Sequence, residues 1–591
     1  MQPGCRPLKG NGRNDIVSDP GMIFKPEQIR LFGFQDMVFG FFSVLILAGL
    51  AGTWLPSFGF LPVIGTAAFS MEPWVELFKF PGIASSIKAT LISGWLASSW
   101  ALFLSMTLIS LSHGTKTWAW FEKLLAPLLS IPHAGFAMGF AFLIAPGGWI
   151  LRLISPDFTN FTIPPDWIII NDSHGLTLAA CMVFKETPFL LFMAMGALTR
   201  INVTETLTLG QSLGYHRAQV WIKLILPRLF PDIRLAFYAV TAYSLSVVDL
   251  SVILGPTAPP TLSVLVLQWF SDPDINMRLI GAAGACTLLL IVVFSLGSVY
   301  LFEKIFVMFF KTRIANGKRK SLFSELTVPG NMLLAFILVI SFMSVLVLII
   351  WSFTWRWTFP DFLPGSWSVR FWFGSFSRVK VPLFTTMATG ICTTLAAVVL
   401  TIGCLECGRN SLKKGRGKGF KKIKWLIYLP LLIPQIAFIN GIQVILTMVN
   451  LDGLWISLVL SHLIFVFPYL FLTLSGIYEN FDARYTDTAS MLCGSRLKSF
   501  FLIKLPMLTG PVLFASAIGF SVSVAQYVPT VFLGAGRFTT ITTEAVNMAA
   551  GSDRRIVAVY ALYQLALPMV MYMAAIYTPR LVFINRKNML A

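Results

Sequence analysis

The sequence predicts an all-α polytopic membrane protein of about twelve transmembrane helices, arranged as two parallel six-helix repeats. Three observations predict it: a composition foreign to soluble domains, twelve apolar stretches long enough to cross a bilayer, and a segment that recurs in the second half of the chain. Of the 591 residues, 56% are hydrophobic and only 12% are charged, with a mean hydropathy of +0.76. Soluble domains carry about 25% charged residues, so this chain needs a solvent that tolerates apolar surface nearly everywhere. Disordered, collagen-like and disulfide-scaffold chains are excluded. The seven cysteines, Cys5, Cys181, Cys286, Cys392, Cys404, Cys407 and Cys493, are odd in number and fall mostly in apolar segments, where cysteine acts as a small hydrophobe. Cys404 and Cys407 have no second pair and no nearby histidine, so neither a metal site nor a disulfide is expected.

A helix needs about 20 apolar residues to cross the hydrocarbon core. Stretches of that kind lie near 36–54, 87–111, 122–145, 175–198, 231–255, 279–310, 331–351, 384–404, 425–448, 454–478, 511–535 and 556–577. The first begins near Met37 with no cleavage site of small residues after it, so it reads as an anchor rather than a removed signal peptide. Residues 1–33 read as a disordered cytoplasmic tail, 34–310 as the first half, 311–330 as a basic cytoplasmic linker and 331–591 as the second half. An even number of spans puts both termini on one side. With the termini cytoplasmic, 31 of the 45 Lys and Arg fall in cytoplasmic segments, as the positive-inside rule favours. Arg356, Arg370, Arg378 and Lys380 dissent, lying in the external segment 352–383. The formal charge of +19 is therefore a topological signal, and the basic run from Arg409 to Lys424 reads as a stop-transfer loop rather than a nucleic-acid patch.

The internal repeat shows in TLGQSLGYHRAQVWIKLILP (208–227) and DTASMLCGSRLKSFFLIKLP (487–506). An offset of 279 aligns Leu213 with Leu492, Arg217 with Arg496, Leu226 with Leu505 and Pro227 with Pro506. It continues through Ser244 and Ser523 to Gly255 and Gly534. Upstream an offset of 302 aligns Ile131, Pro132, Phe136 and Gly139 with Ile433, Pro434, Phe438 and Gly441. The difference of about 23 residues fits a longer external loop within 146–174. Six spans per half make the halves parallel, with a pathway between them.

Each copy of the repeated segment sits in a cytoplasmic loop after the fourth span of its half. The form is a helical turn with small residues, a glycine bend, an amphipathic stretch and Leu-Pro leading back to the membrane. Glycine allows the positive φ of a tight bend, and proline costs little at a helix start. One such loop reads equally as an interfacial amphipathic element or as a lever for a soluble partner; two in equivalent places favour the lever.

These loops resemble the EAA motif of bacterial ABC importer permeases: Glu-Ala-Ala, three residues, Gly, nine residues, Ile-x-Leu-Pro. The first copy keeps Gly214 and Leu226-Pro227, with Thr208, Leu209 and Gly210 in place of Glu-Ala-Ala. The second keeps Ala489, has Asp487 at the Glu position, and places Cys493 at the Gly position with Gly494 following. SLSVVDLSVILGP (244–256), PPTL (259–262), AQYVPTVFLGAGRF (525–538) and TTEAV (542–546) extend the likeness to the fused-permease group that includes thiamine, ferric-ion and polyamine-type importers. The resemblance covers roughly 35–580. It implies a MetI-like permease fold in the bacterial inner membrane, with both halves in one chain. It also implies two separate ABC ATPase subunits and a periplasmic substrate-binding protein as partners. Leu213, Gly214, Arg217, Leu226, Pro227, Asp487, Ala489, Cys493, Gly494, Arg496, Leu505 and Pro506 would form the two ATPase-coupling loops. No Gly-x-x-x-x-Gly-Lys-Ser/Thr loop is present, so ATP would be used by the partner ATPase and no cofactor is expected on this chain.

Ionisable groups inside spans are costly and mark function by default. Lys185 and Glu186, adjacent before Pro188, either neutralise each other or line the pathway. Asp249 reads as a pathway or gate residue. His462 and Gln526 are pathway candidates too, though each can simply bond a neighbouring helix. His133, Gln435, Asn440 and Gln443 read as helix-packing contacts. The five histidines, His113, His133, His174, His216 and His462, are not spaced with carboxylates or cysteines as a catalytic or metal site requires, so transport rather than covalent chemistry is expected. A secondary transporter of the 6+6 type, driven by an ion gradient, is the alternative, and the repeated loop argues against it.

Overall fold

The computed structural model describes residues 33–62, 65–66, 68–314, 327–413 and 426–582. Most of the expected tail, the middle of the expected linker and the basic run beyond residue 413 lie outside them. The described chain is almost wholly helical, because a backbone in hydrocarbon must pair its own N–H and C=O groups.

In the N-terminal half the elements are α1 (Phe34–Ser57), α2 (Glu72–Lys79), α3 (Ile83–Ser112), α4 (Lys116–Ser130), α5 (His133–Ile144), α6 (Trp149–Ile154), α7 (Leu176–Leu198) and α8 (Val203–Ser212). They continue with α9 (Arg217–Val220), a π-helical turn at Trp221–Ile225, α10 (Leu226–Ser246), α11 (Asp249–Leu254), α12 (Leu262–Phe270) and α13 (Met277–Ile314). The C-terminal half opens with α14 (Thr327–Ser352), a small hairpin of β1 (Thr354–Arg356) and β2 (Ser366–Trp367), and α15 (Arg370–Lys413). Next come α16 (Leu429–Leu432), α17 (Ile436–Met448), α18 (Trp455–Glu479), α19 (Ala483–Cys493) and α20 (Arg496–Ser499). A second π turn at Phe500–Lys504 leads to α21 (Leu505–Met507), α22 (Thr509–Val524), α23 (Val528–Leu533), α24 (Ile541–Ala549) and α25 (Arg554–Val582).

Among the described residues, nine helices are long and apolar enough to cross a membrane, or ten if Arg496–Met507 and Thr509–Val524, bent by 72°, make one span. The count falls short of twelve because three of the expected stretches, 231–255, 425–448 and 511–535, are broken into pieces that do not qualify; 122–145 is broken too, but its part from His133 to Ile154 still counts as a span. Pro132 separates α4 from α5, and Pro434 separates α16 from α17. The chain leaves helix again at Val247–Val248 and at Ala525–Tyr527. Polar groups from other elements satisfy the backbone near these breaks. The Ser263 hydroxyl donates to the Val247 carbonyl at 2.7 Å, and Thr542 donates to the Val524 carbonyl. The buried helices α12 and α24 are held alike: Leu262 N–H donates to Thr90 Oγ1 at 2.9 Å, and Ile541 N–H donates to Thr386 Oγ1 at 2.8 Å.

The first long helix of each half packs on the other half. Along α1, Gly49 and Gly52 lie against α17, where a Cβ at Gly441 would stand 1.9 Å from the Gly49 carbonyl oxygen. The mirror contact joins α14 to α5, where a Cβ at Gly139 would stand 2.1 Å from the Ser344 oxygen. Gly139 and Gly441 are the glycines aligned by the 302-residue offset, and both permit backbone-to-backbone crossing. One apolar core runs through both halves.

At the face opposite the π turns, a strut ties the halves. The buried Arg152 guanidinium donates to the carbonyls of Gly147 (3.1 Å), Thr358 (2.5 Å) and Asp361 (3.2 Å), and stacks 4.8 Å from the Trp357 ring centroid.

Candidate functional site

Two places carry the candidate residues: a pair of segments at one face of the bundle, and a polar cluster where the halves meet.

The paired segments are built by one rule. Helix α8 ends at Ser212 and is capped by Leu213, Gly214 turns the chain at φ +83°, and α9 opens at Arg217. Helix α19 ends at Cys493, Gly494 turns the chain at φ +65°, and α20 opens at Arg496. The bend therefore falls on Gly494 rather than on the aligned Cys493, and the second bend is two residues shorter. Asp482 starts α19 by accepting the Arg484 N–H at 2.9 Å. After α9 and α20 comes a π turn in each copy, succeeded at once by Leu226-Pro227 and Leu505-Pro506. Proline clashes with the carbonyl four residues before it, here that of Lys223 or Leu502, and both lie inside the π turn, where the extra residue takes up the conflict.

Gly210 and Ala489, aligned by 279, are the small residues that let α8 and α19 pack closely on α9 and α20. A Cβ at Gly210 would stand 2.4 Å from Val220 Cγ2, and Ala489 is buried. Outward, each segment presents bare apolar side chains: Leu213 is 64% exposed and the aligned Leu492 is 84% exposed, an arrangement that suits a groove on a soluble partner. Asp487 and Arg496 are exposed as well. Arg217 points the other way and donates to the His113 carbonyl at the end of α3. The His113 ring lies 5.5 Å from that of Trp221. Its pKa is pushed below 6.5, first by burial and then by the Arg217 charge.

The polar cluster is centred on α5, α7 and α11. His133 Nε2 lies 3.0 Å from Glu186 Oε1, and its ring stands 5.1 Å from that of Tyr243. Asp249 opens α11 at the Val247–Val248 break and is close enough to act electrostatically on His133 and on Tyr527 of the other half. Glu186 acts likewise on Tyr469. Lys185 is turned elsewhere: its ammonium donates to the carbonyls of Ile131 (2.6 Å) and Leu128 (3.1 Å). These are carbonyls at the end of α4, left without helical partners by the break at Pro132. His462 lies wholly inside the C-terminal half, with Nδ1 2.8 Å from Ser523 Oγ and Nε2 3.0 Å from Thr530 Oγ1. Gln526 is buried at the Ala525–Tyr527 break, and its Oε1 finds no hydrogen-bond partner among the described residues.

The structure therefore brings together Glu186 and Asp249, with Lys185 beside Glu186 but hydrogen-bonded to backbone carbonyls, and holds His462 on partners within the C-terminal half. Sequence reasoning treats His133 as a helix-packing contact and passes over Tyr243, Tyr469 and Tyr527. Tyrosines leave an apolar span apolar, so hydropathy gives no signal of them. Gly210 is readable only as a departure from the motif. Among the described residues no group of His, Cys, Asp or Glu could hold a metal ion.

No protein-family model matches the chain. It is 32% identical over 508 residues to the inner membrane ABC transporter permease protein YnjC of Escherichia coli strain K12, covering 85% of this chain and 90% of that protein. It is 25% identical over 188 residues to the putrescine transport system permease protein PotI of the same strain, covering 30% of this chain and 65% of that protein.

Proposed function

The chain belongs to the ABC transporter permeases, and from that premise we propose that it is the fused membrane subunit of a binding-protein-dependent importer. Its two halves would enclose the translocation pathway and couple to two separate ATPase subunits through the segments bent at Gly214 and Gly494. The observation that carries this reading is the pairing of those segments. Each has a helix, a glycine bend at positive φ, an exposed leucine and a π turn before Leu-Pro, at offsets of 279 or 280 residues. Closure of the ATPases would push both segments, rock one half against the other and expose the crossing alternately to the two sides. A gradient-driven transporter has no need of two such protruding knobs.

The pathway would cross the halves at the broken helices α5 and α11, beside Glu186, Asp249, Tyr469 and Tyr527. Two carboxylates there, with Lys185 tied to backbone carbonyls, favour a cationic or neutral solute over an anionic one. Lys185 and His462 would hold the helices that frame this crossing, and Gln526, at the matching break of the other half, is the remaining candidate for contact with the solute. The termini would be cytoplasmic and a periplasmic binding protein would deliver the solute.

The test is purification of the tagged chain from its native membrane in mild detergent, with mass spectrometry of the proteins that stay bound. A nucleotide-binding subunit should copurify, and Gly214→Glu or Gly494→Glu should release it while leaving the chain folded. Absence of any ATPase, with uptake into vesicles that follows a proton or sodium gradient, would overturn the reading.

A further inference from the structure

The two coupling segments share a backbone but differ in how they are fastened. In the N-terminal copy, position 225 is Ile, fully buried inside the π turn among Trp221 and Leu229. In the C-terminal copy the aligned position is Lys504, whose side chain is 1% exposed. Its ammonium lies 2.5 Å from Glu406 Oε2 on α15 and 3.8 Å from the ring centroid of Tyr478 on α18. The Tyr478 hydroxyl donates to the same carboxylate oxygen, and the Phe481 ring closes the site at 5.8 Å. An ammonium taken out of water demands a well-aligned partner, and charge-assisted hydrogen bonds to one oxygen fix both distance and direction. Apolar packing around Ile225 fixes neither so tightly.

We propose that Lys504, Glu406 and Tyr478 form a charged joint that makes the C-terminal coupling segment move as one body with α15 and α18. Where Lys504 stands in the second segment, the N-terminal segment has the fully buried Ile225, so the two segments transmit force unequally. The joint rests on the coupling reading above and adds to it which helices the second segment drives. Lys504 is a positioning residue, which would act through Glu406 and Tyr478.

The chain is purified with its bound ATPase subunit from native membrane, placed in nanodiscs, and assayed for Mg-ATP hydrolysis per assembled complex beside its thermal midpoint. Lys504→Met should keep the ATPase bound yet lower turnover about tenfold, within the range by which single residues alter coupling. Glu406→Gln should do the same. The double variant should lose no more than either single one, since both act through one contact. Leu290→Met, at a 60% exposed position on α13 outside both coupling segments, should leave turnover unchanged. A purely structural role would lower the thermal midpoint and yield but not turnover per complex. Turnover within twofold of the unmodified chain in Lys504→Met, or fully additive losses in the double variant, would overturn the joint. If Lys504→Met does not fold, Tyr478→Phe, which deletes one hydroxyl, should still lower turnover, and unchanged turnover there also overturns it. Failure of the unmodified chain to hold any ATPase would instead bring down the coupling reading, and the joint with it.

Discussion

Gly441 shows how a single hydrogen atom in place of a side chain decides the packing of two halves. With α1 crossing this close, Gly441→Val cannot be relieved by rotating a side chain, because the obstacle is backbone. A loss of about 3 kcal/mol is expected, read as a lower thermal midpoint in detergent, whereas Gly510→Ala, with nothing within 4 Å of its Cβ position, should be neutral or slightly stabilising. His462 belongs to the same class of internal fastening. His462→Leu should cost about 2 kcal/mol by stranding the Ser523 hydroxyl, whereas Thr530 keeps its bond to the Gln526 carbonyl, and it should leave solute selectivity unchanged. His113 adds a pH dependence. Its folded pKa lies below the 6.5 of the free side chain, so in acid the unfolded chain binds the extra proton more readily. Its contribution to stability is therefore complete above about pH 6.5 and is lost as pH falls below that value. A thermal midpoint that drops between about pH 7 and 5, and drops less in His113→Asn, is the expected result. Residues such as Asp249 and Glu186 stand out in the sequence because charge inside an apolar run is conspicuous. The partners that give them meaning, His133 and the three tyrosines, do not, since contacts between halves leave no local pattern.

At the scale of elements, the segments bent at Gly214 and Gly494 are legible because glycine and Leu-Pro punctuate them at fixed spacing. The π turns are not: Trp221–Ile225 and Phe500–Lys504 read as ordinary amphipathic helix, and only the proline after each hints at the extra residue. The breaks at Val247–Val248 and Ala525–Tyr527 are equally hidden, since neither carries a proline or glycine at the break and the bonds that stabilise the exposed backbone come from Ser263 and Thr542, remote in sequence. That is why hydropathy reads 231–255 and 511–535 as unbroken spans. The bend position slips by one residue for a similar reason, as alignment by offset cannot see that only Gly494 takes φ +65°. Gly210→Leu should drive α8 off Val220. The measurable sign is faster proteolysis within 199–230, with 479–510 unaffected.

For the whole molecule, the two-fold plan is readable from the repeats, but which helix embraces which is not. Helix α1 packs on α17 and α14 on α5, so neither half closes its own surface. A chain divided within 315–326 should therefore still copurify as two tightly associated fragments when both are expressed. Either fragment alone should be degraded or aggregate, and stable, monodisperse single halves would contradict the exchanged packing.

The same exchange sets an order of assembly during synthesis. Helix α14 emerges when α5 is already in the bilayer and can dock at once. Helix α1 waits for α17, about 390 residues downstream, which at ribosomal speeds of about 5–20 residues per second is roughly 20–80 s. Until then its glycine face at Gly49 and Gly52 lacks the helix it packs on in the folded chain.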